Sequence, residues 1–287
     1  MEANLPLRQR QHGFTEAPFI ESLVWLQAVG GECPEDIHLL AGDDCLERGL
    51  GYAPPKATAV REFLERCHDR ELEKLRPARD VQKSFIFPAS TPAAALPAMQ
   101  SGCVRRISKW HEQAGQPQRI APIDQDATSI ESHQQAASSH YEEGRGYQPM
   151  VAVWAEADLV VAEEFRDGNV PAKQAPLTCA KLAFAALPET ITQRYFRGDS
   201  ACHENELRNG LKHPEREKER GGRMGFAVSA VMRHPLASAR REVKENDWNP
   251  FNKENDGTLR QWAEGDFVPG DDDEAKDSHP LRYGGLR

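Results

Sequence analysis

Residues 147–165 read YQPMVAVWAEADLVVAEEF. Two apolar runs, Tyr147 to Trp154 and Leu159 to Phe165, are typical of β-strands, and the short polar link Glu156-Ala157-Asp158 suits a tight hairpin. A link this short leaves no room for a crossover helix. The stretch therefore predicts neighbouring antiparallel strands and argues against a doubly wound nucleotide fold or an α/β barrel, both of which need helices between their first strands.

The flanking sequence extends this hairpin into a larger sheet. Ile120 to Asp126 is predicted to form an earlier strand, Ile191 to Phe196 a fourth and Met224 to Val231 a fifth, fully buried one. Helices are predicted between the later strands, from Pro171 to Leu187 and from an N-cap at Ser200 to Leu211. The order of three strands, helix, strand, helix and strand predicts an α/β fold with a mixed five-stranded sheet, in which the first and fourth strands are neighbours. It is the order of the ribonuclease H-like fold.

The regions on either side have different patterns. The first hundred or so residues show helical spacing, for example Phe19 to Leu26, and a helix capped by Thr58. After residue 231 the signal is weaker, with short predicted strands near Trp248 and Trp262 and an acidic loop from Gly270 to Ser278. We therefore divide the chain into a helical N-terminal region (1–112), an α/β core (113–231) and a partial β-containing insertion (232–287).

Composition limits the functions that the chain can have. Hydrophobic residues make up 39% and charged residues 28%, which is typical of a globular protein. No apolar run is long enough for a membrane span, and the start of the chain lacks a signal region, so we expect a cytoplasmic protein with no membrane partner. The six cysteines include no C-x-x-C pair, which argues against a zinc ribbon. Because the net charge is −9, any surface for nucleic acid must be a local basic patch.

Three carboxylates are candidates for chemistry. Asp124 and Asp126 are two residues apart on a predicted strand, so their side chains leave the same face, and Asp199 follows the end of the fourth strand. If the first and fourth strands are neighbours, Asp126 and Asp199 converge and offer the oxygen ligands that hard divalent cations prefer. In a chain with 45 Asp and Glu, a chance pairing is the alternative. Glycoside hydrolysis by paired carboxylates is another, although only 7% of the residues are aromatic.

Four motifs around these residues resemble the DDE transposases of bacterial insertion sequences. RIAPIDQDAT (119–128) is similar to the first catalytic segment, D-x-D-x-T, and GRGYQPMVAV (144–153) to the G-Y-x-P-L strand. FRDGN (165–169) matches the L-R-x-G-N turn, and RGDSA (197–201) matches the R-x-D-S segment. Weaker similarities to the "group 1" subfamily extend the resemblance over nearly the whole chain; they lie at 31–36, 40–51, 225–230, 262–264 and 280–283.

The resemblance implies a mechanism and a set of ligands. Asp126 and Asp199 would be catalytic and would hold Mg²⁺ or Mn²⁺ in a two-ion site for DNA phosphoryl transfer. The expected partners are double-stranded DNA, namely the terminal repeats and the target, and a second copy of the chain, in a bacterial, nucleoid-associated setting. Arg166 and Asn169 are expected to contact phosphate, with a turn-shaping role for Gly168-Asn169 as the alternative. Arg197 is expected either to contact phosphate or to form an ion pair.

The resemblance also carries one departure from the family. The third carboxylate of these transposases is a Glu on a helix that follows the insertion, and no Glu before Arg287 matches it. We therefore expect a C-terminally truncated transposase that does not cut DNA by itself. The alternatives are a non-catalytic DNA-binding remnant and a ribonuclease H-like nuclease outside transposition.

Overall fold

A computed structural model describes residues 13–78, 81, 83–134, 136–139, 144–213, 223–253, 257–265, 267 and 281–286. The chain divides into two compact units, one extending to Val228 and the other beginning at Ser229. The helical region and the main sheet both belong to the first unit. The predicted boundary between them at residues 112 and 113 stays a prediction.

The N-terminal part of the first unit is helical, as its sequence pattern predicts. Its α-helices are α1 (Glu16–Ala28), α2 (Asp44–Leu50), α3 (Ala57–Cys67), α4 (Arg70–Glu73) and α5 (Leu96–Gln113). The predicted short helix after Pro34 is a 3-10 helix, Pro34–Leu39. Thr58 is not the cap of α3, because Lys56 occupies that position. Phe19 and Phe63 stack with ring centroids 4.8 Å apart in a small core of their own.

The rest of the unit contains eight strands and two α-helices among its described residues. The strands are β1 (Ile120–Ala127), β2 (Ile130–Glu131), β3 (Ser138–Ser139), β4 (Arg145–Tyr147), β5 (Met150–Trp154), β6 (Leu159–Glu164), β7 (Gln193–Gly198) and β8 (Arg223–Val228). The helices are α6 (Pro176–Ala186) and α7 (Asn205–Lys212).

The main sheet has five strands in the order β6-β5-β1-β7-β8. The pairs β6–β5 and β5–β1 are antiparallel, and β1–β7 and β7–β8 are parallel. The predicted α/β fold with a mixed five-stranded sheet and flanking helices is thus confirmed, as is the predicted contact between the first and fourth strands, β1 and β7. The hairpin at Glu156 is confirmed as well, with Asp158 in the left-handed conformation.

One face of this sheet is buried and the other is exposed to solvent. Along β1 the residues Ala121, Ile123 and Gln125 are buried, and the alternate residues Asp124 and Asp126 are partly or fully exposed. The buried face packs into one core with α5, α6 and α7. The other face carries both aspartates of the D-x-D motif, so the sheet holds them towards solvent.

Three details of the predicted elements are wrong. Tyr147 to Trp154 is two strands, because Pro149 lacks the N–H that a continuous strand would donate; β4 pairs in a separate three-stranded sheet with β2 and β3. β8 is an edge strand of the described sheet and is only partly buried. Ser200 does not cap the helix that follows β7, since Glu204 caps α7 and accepts from two of its backbone N–H groups.

The second unit contains helix α8 (His234–Glu242) and a three-stranded antiparallel sheet. Its strands are β9 (Asn249–Lys253), β10 (Leu259–Gly265) and β11 (Tyr283–Leu286), in the order β11-β10-β9. Strands were predicted here, whereas α8 was not. The predicted acidic loop from Gly270 to Ser278 lies outside the described residues. None of the helices in the described part of the chain combines the length and apolar character that crossing a membrane requires.

Candidate active site

The candidate site lies where β1 and β7 end. The two strands are parallel, and Gln125 is in register with Gly198. Asp126 and Asp199 are the residues that directly follow this pair. Asp199 keeps an extended backbone (φ −76°, ψ −168°). Adjacent strands are about 4.8 Å apart, and residues in register on parallel strands share a face. The sheet therefore places these two carboxylates side by side at its carboxyl edge.

Each of the two carboxylates is anchored through one oxygen. Asp126 Oδ1 accepts a hydrogen bond of 2.7 Å from the N–H of Ala127, and Asp199 Oδ1 accepts one of 2.9 Å from the N–H of Ala201. Both residues are exposed, and within the described part of the chain neither forms an ion pair. Their orientation is thus set by the backbone, while the second oxygen of each remains available to a ligand.

Asp124 has a different role from Asp126, although the sequence pattern treats them alike. Asp124 is in register with Arg197, which holds both carboxylate oxygens: Nε to Oδ1 at 2.6 Å and Nη2 to Oδ2 at 2.7 Å. These hydrogen bonds and the charge of Asp124 raise the pKa of the Arg197 guanidinium above its usual value. Of the two roles left open for Arg197, the structure contains the ion pair.

An open cleft of about 360 Å³ runs along this edge of the sheet. Asp126, Asp199 and the Asp124–Arg197 pair line it together with Val151 and other residues of the neighbouring strands. A shallow cleft with carboxylates at one end and aliphatic side chains beside them has room for an extended chain. It does not enclose a small molecule as a deep pocket does.

Cys202 lies directly behind the two carboxylates. Its buried Sγ is 3.8 Å from the carbonyl oxygen of Gln125. Burial, together with the negative charges of Asp199 and Asp126, raises the pKa of this thiol to about 12. Gly198 must be small here, because a Cβ on it would lie 2.6 Å from the Cβ of Cys202. Cys202, in the turn after β7, is therefore packed against Gly198, the residue that precedes Asp199.

Gln125 is a residue of this region that sequence reasoning missed. It is 2% exposed, and its Nε2 donates a 2.9 Å hydrogen bond to the carbonyl of Pro176 at the start of α6. The bond ties β1 to α6 from the buried side, at the residue between Asp124 and Asp126. The signal was present in the sequence, because alternation along the strand points the middle residue of D-x-D inward.

Arg166 and Asn169 lie away from the cleft. Arg166 is wholly buried, and its guanidinium pairs with Glu164 and donates to the carbonyls of Gln174 and Ala175, at 2.7 and 3.3 Å. Its donors are used inside the protein, where they join the end of β6 to the residues that precede α6. Asn169 donates to the carbonyl of Lys83 at 3.1 Å and lines a different cavity, of about 810 Å³.

Among the residues that the structure describes, no group of three or more His, Cys, Asp or Glu side chains is arranged to hold a metal ion. The cleft thus contributes two available carboxylates.

No protein-family model matches this chain, and no curated protein is significantly similar to it.

Proposed function

We propose that this protein is a DDE-type transposase with a ribonuclease H-like core, of the class that acts on insertion-sequence DNA ends by metal-dependent phosphoryl transfer, and that with two of the three carboxylates of that class it does not cut DNA by itself. The observation that carries the proposal is the position of Asp126 and Asp199, which directly follow the registered pair Gln125 and Gly198 on two neighbouring parallel strands and line the same cleft. The four motifs of the resemblance support it, because two of them contain these aspartates.

The strand order supports the ribonuclease H-like assignment. An antiparallel meander of three strands, β1, β5 and β6, is followed by helix α6, then β7 beside β1, then α7 and β8. This arrangement brings the ends of β1 and β7 together on one edge, which is where such a fold carries its acidic residues.

The two carboxylates fit a hard divalent cation. Each has one oxygen fixed by a backbone N–H and one oxygen facing the cleft, and carboxylate oxygens are the ligands that Mg²⁺ and Mn²⁺ prefer. The exposed edge leaves space for water and for phosphate oxygens beside them. Bound divalent ions supply Lewis-acid stabilisation of charge on a phosphoryl group.

The chain's own residues position that chemistry. Asp126 and Asp199 would hold a divalent cation from adjacent strand ends, so the distance between the two carboxylates is set by the sheet. The Arg197–Asp124 pair joins the same two strands two residues earlier and would keep Asp124 from acting as a further ligand. The N–H of Thr128 donates to the carbonyl of Pro149 at 2.9 Å and holds the chain immediately after Asp126. Because phosphoryl transfer depends mainly on positioning, these supports matter as much as the ligands.

Metal binding tests the proposal most directly. Free Mn²⁺ is measured by electron paramagnetic resonance while the protein is titrated, for the native chain and for Asp126→Asn and Asp199→Asn. We expect either substitution to weaken binding by tenfold or more. Asp158→Asn is the matched control: it removes the same charge from an exposed turn of the same sheet, and Asn tolerates its left-handed conformation (φ 51°).

Strand cleavage of DNA that contains transposon ends then separates the rival functions. Cleavage with Mn²⁺ that both Asn substitutions abolish supports a catalytic transposase or nuclease. DNA binding and Mn²⁺ binding without cleavage is the result that we expect of this chain by itself, whereas DNA binding without Mn²⁺ binding supports the non-catalytic alternative. Equal Mn²⁺ binding by the native chain and both variants would contradict the proposed site.

A further inference from the structure

Helix α5 has two unlike faces. Val104 and Ser108 are buried against the core, and the opposite arc of the helix is exposed. At 100° per residue, this arc carries Arg105, Arg106, Lys109 and Trp110, all exposed and contiguous over about 140°. We call these four residues the α5 basic face.

The three cations of the α5 basic face are clustered on one surface of a single helix. No carboxylate forms an ion pair with them in the part of the chain that the structure describes. Glu112, the acid nearest to them in sequence, pairs with Arg119 at 3.2 Å. Three exposed cations nearby are paired, each with its own carboxylate: Arg48 with Asp44, Arg61 with Glu35, and Lys74 with Glu71. In a chain of net charge −9, the α5 basic face is thus the kind of local patch that a polyanion requires.

Trp110 adds an aromatic surface to these charges. It is 57% exposed, although the Arg106 guanidinium lies 5.6 Å from its ring centroid. An exposed indole next to unpaired cations is the combination with which proteins bind single-stranded nucleic acid: a base stacks on the ring while the cations neutralise the phosphates. A duplex has its base faces already stacked, so it uses the charges but not the ring.

We propose that the α5 basic face binds single-stranded DNA, with a base on Trp110 and phosphates on the three cations. The face spans about 7.5 Å along the helix axis, which matches about two or three nucleotides. The choice of DNA as the nucleic acid rests on the proposed function. The binding itself does not use Asp126 or Asp199.

The face is separate from the carboxylate cleft. α5 packs on β6 and α6 and contributes Val104 to the core on the buried side of the sheet, whereas the aspartates face the other side. Moreover, α5 leads into the start of β1, and Asp126 lies about 20 Å further along that strand. Single-stranded DNA bound by α5 would therefore be a different segment from any DNA bound at the carboxylate cleft.

Anisotropy of a fluorescein-labelled 20-nucleotide oligo(dT), measured in EDTA at several salt concentrations, tests the charges. We compare the native chain with the triple variant Arg105→Gln/Arg106→Gln/Lys109→Gln. Loss of about three phosphate contacts lowers the slope of log K against log salt by about 2, which corresponds to about 100-fold weaker binding at 0.1 M salt. The matched control, Arg48→Gln/Arg61→Gln/Lys74→Gln, removes three exposed but paired cations from the same helical region and should leave the slope unchanged.

Two further measurements test the aromatic contact and the independence from the cleft. Trp110→Ala should weaken oligo(dT) binding about tenfold and Trp110→Phe much less, because a phenyl ring still stacks. Asp126→Asn/Asp199→Asn should lose Mn²⁺ binding yet keep oligo(dT) binding, so the two proposals fail separately. The α5 proposal is overturned if the control triple loses as much affinity as the α5 triple. It is also overturned if an unlabelled duplex or a polyglutamate competes as well as the single strand.

Discussion

Replacing Arg197 by glutamine should tighten the binding of Mn²⁺ at Asp126 and Asp199. In the native chain Arg197 engages both oxygens of Asp124, at 2.6 and 2.7 Å, so this carboxylate and its partner are together neutral. Glutamine removes the counter-charge and frees Asp124. Since Asp124 and Asp126 leave the same face of β1, a third carboxylate then faces the cleft.

The size of the effect follows from the strand geometry. Asp124 and Asp126 are two residues apart, or about 7 Å along the strand. A unit negative charge and a divalent ion at that separation attract by about 1–2 kcal/mol in the high effective dielectric of an exposed site. We therefore expect the Mn²⁺ dissociation constant to fall by about five- to thirtyfold at low ionic strength.

The assay is the Mn²⁺ titration described above, with two controls at the same positions. Arg197→Lys keeps the charge and should bind Mn²⁺ nearly as the native chain does, although it loses the bidentate geometry. Asp124→Asn/Arg197→Gln restores neutrality and should abolish the gain. If Arg197→Gln binds Mn²⁺ no more tightly than the native chain, Asp124 is not within reach of the ion, and the assigned geometry of the cleft is wrong.

Three further outcomes are expected. Glu164→Gln leaves the buried Arg166 without its counter-ion and should cost about 3–5 kcal/mol in urea unfolding, whereas Glu163→Gln, on the exposed neighbour, should cost less than about 0.5 kcal/mol; similar losses would contradict a buried pair. Gly198→Ala should cost about 1–3 kcal/mol and weaken Mn²⁺ binding, because its Cβ would lie 2.6 Å from that of Cys202; an unchanged midpoint would refute this. With a thiol pKa of about 12, Cys202 should resist a thiol reagent at pH 8 in the folded chain, while the exposed Cys33, Cys45 and Cys103 react, and it should react after unfolding. Its contribution to stability should be lost as pH rises from about 9 to 12. Rapid labelling of Cys202 in the folded chain, located by peptide mass spectrometry, would contradict its burial.

The sequence was sufficient for the order of the five main-sheet strands and their two helices, and for the alternation of buried and exposed residues along β1. The apolar runs and the short link at Glu156 predict the β5–β6 hairpin because they depend on neighbours within a few residues. The same alternation predicts that Asp124 and Asp126 share a face. The adjacency of β1 and β7 follows from topology, since right-handed crossovers leave few ways to place the later strands.

Other features depended on contacts between residues far apart in the chain. Whether Asp124 or Asp126 is available depends on which one lies opposite Arg197, 73 residues away, and a shift of register would exchange their roles. Arg166 occurs in a polar turn, which favours exposure, but the carbonyls of Gln174 and Ala175 bring it inside. The local sequence pattern predicts only the strand or turn to which a residue belongs. Its partner is decided by packing, because the donor or acceptor that satisfies a buried or paired charge comes from elsewhere in the fold.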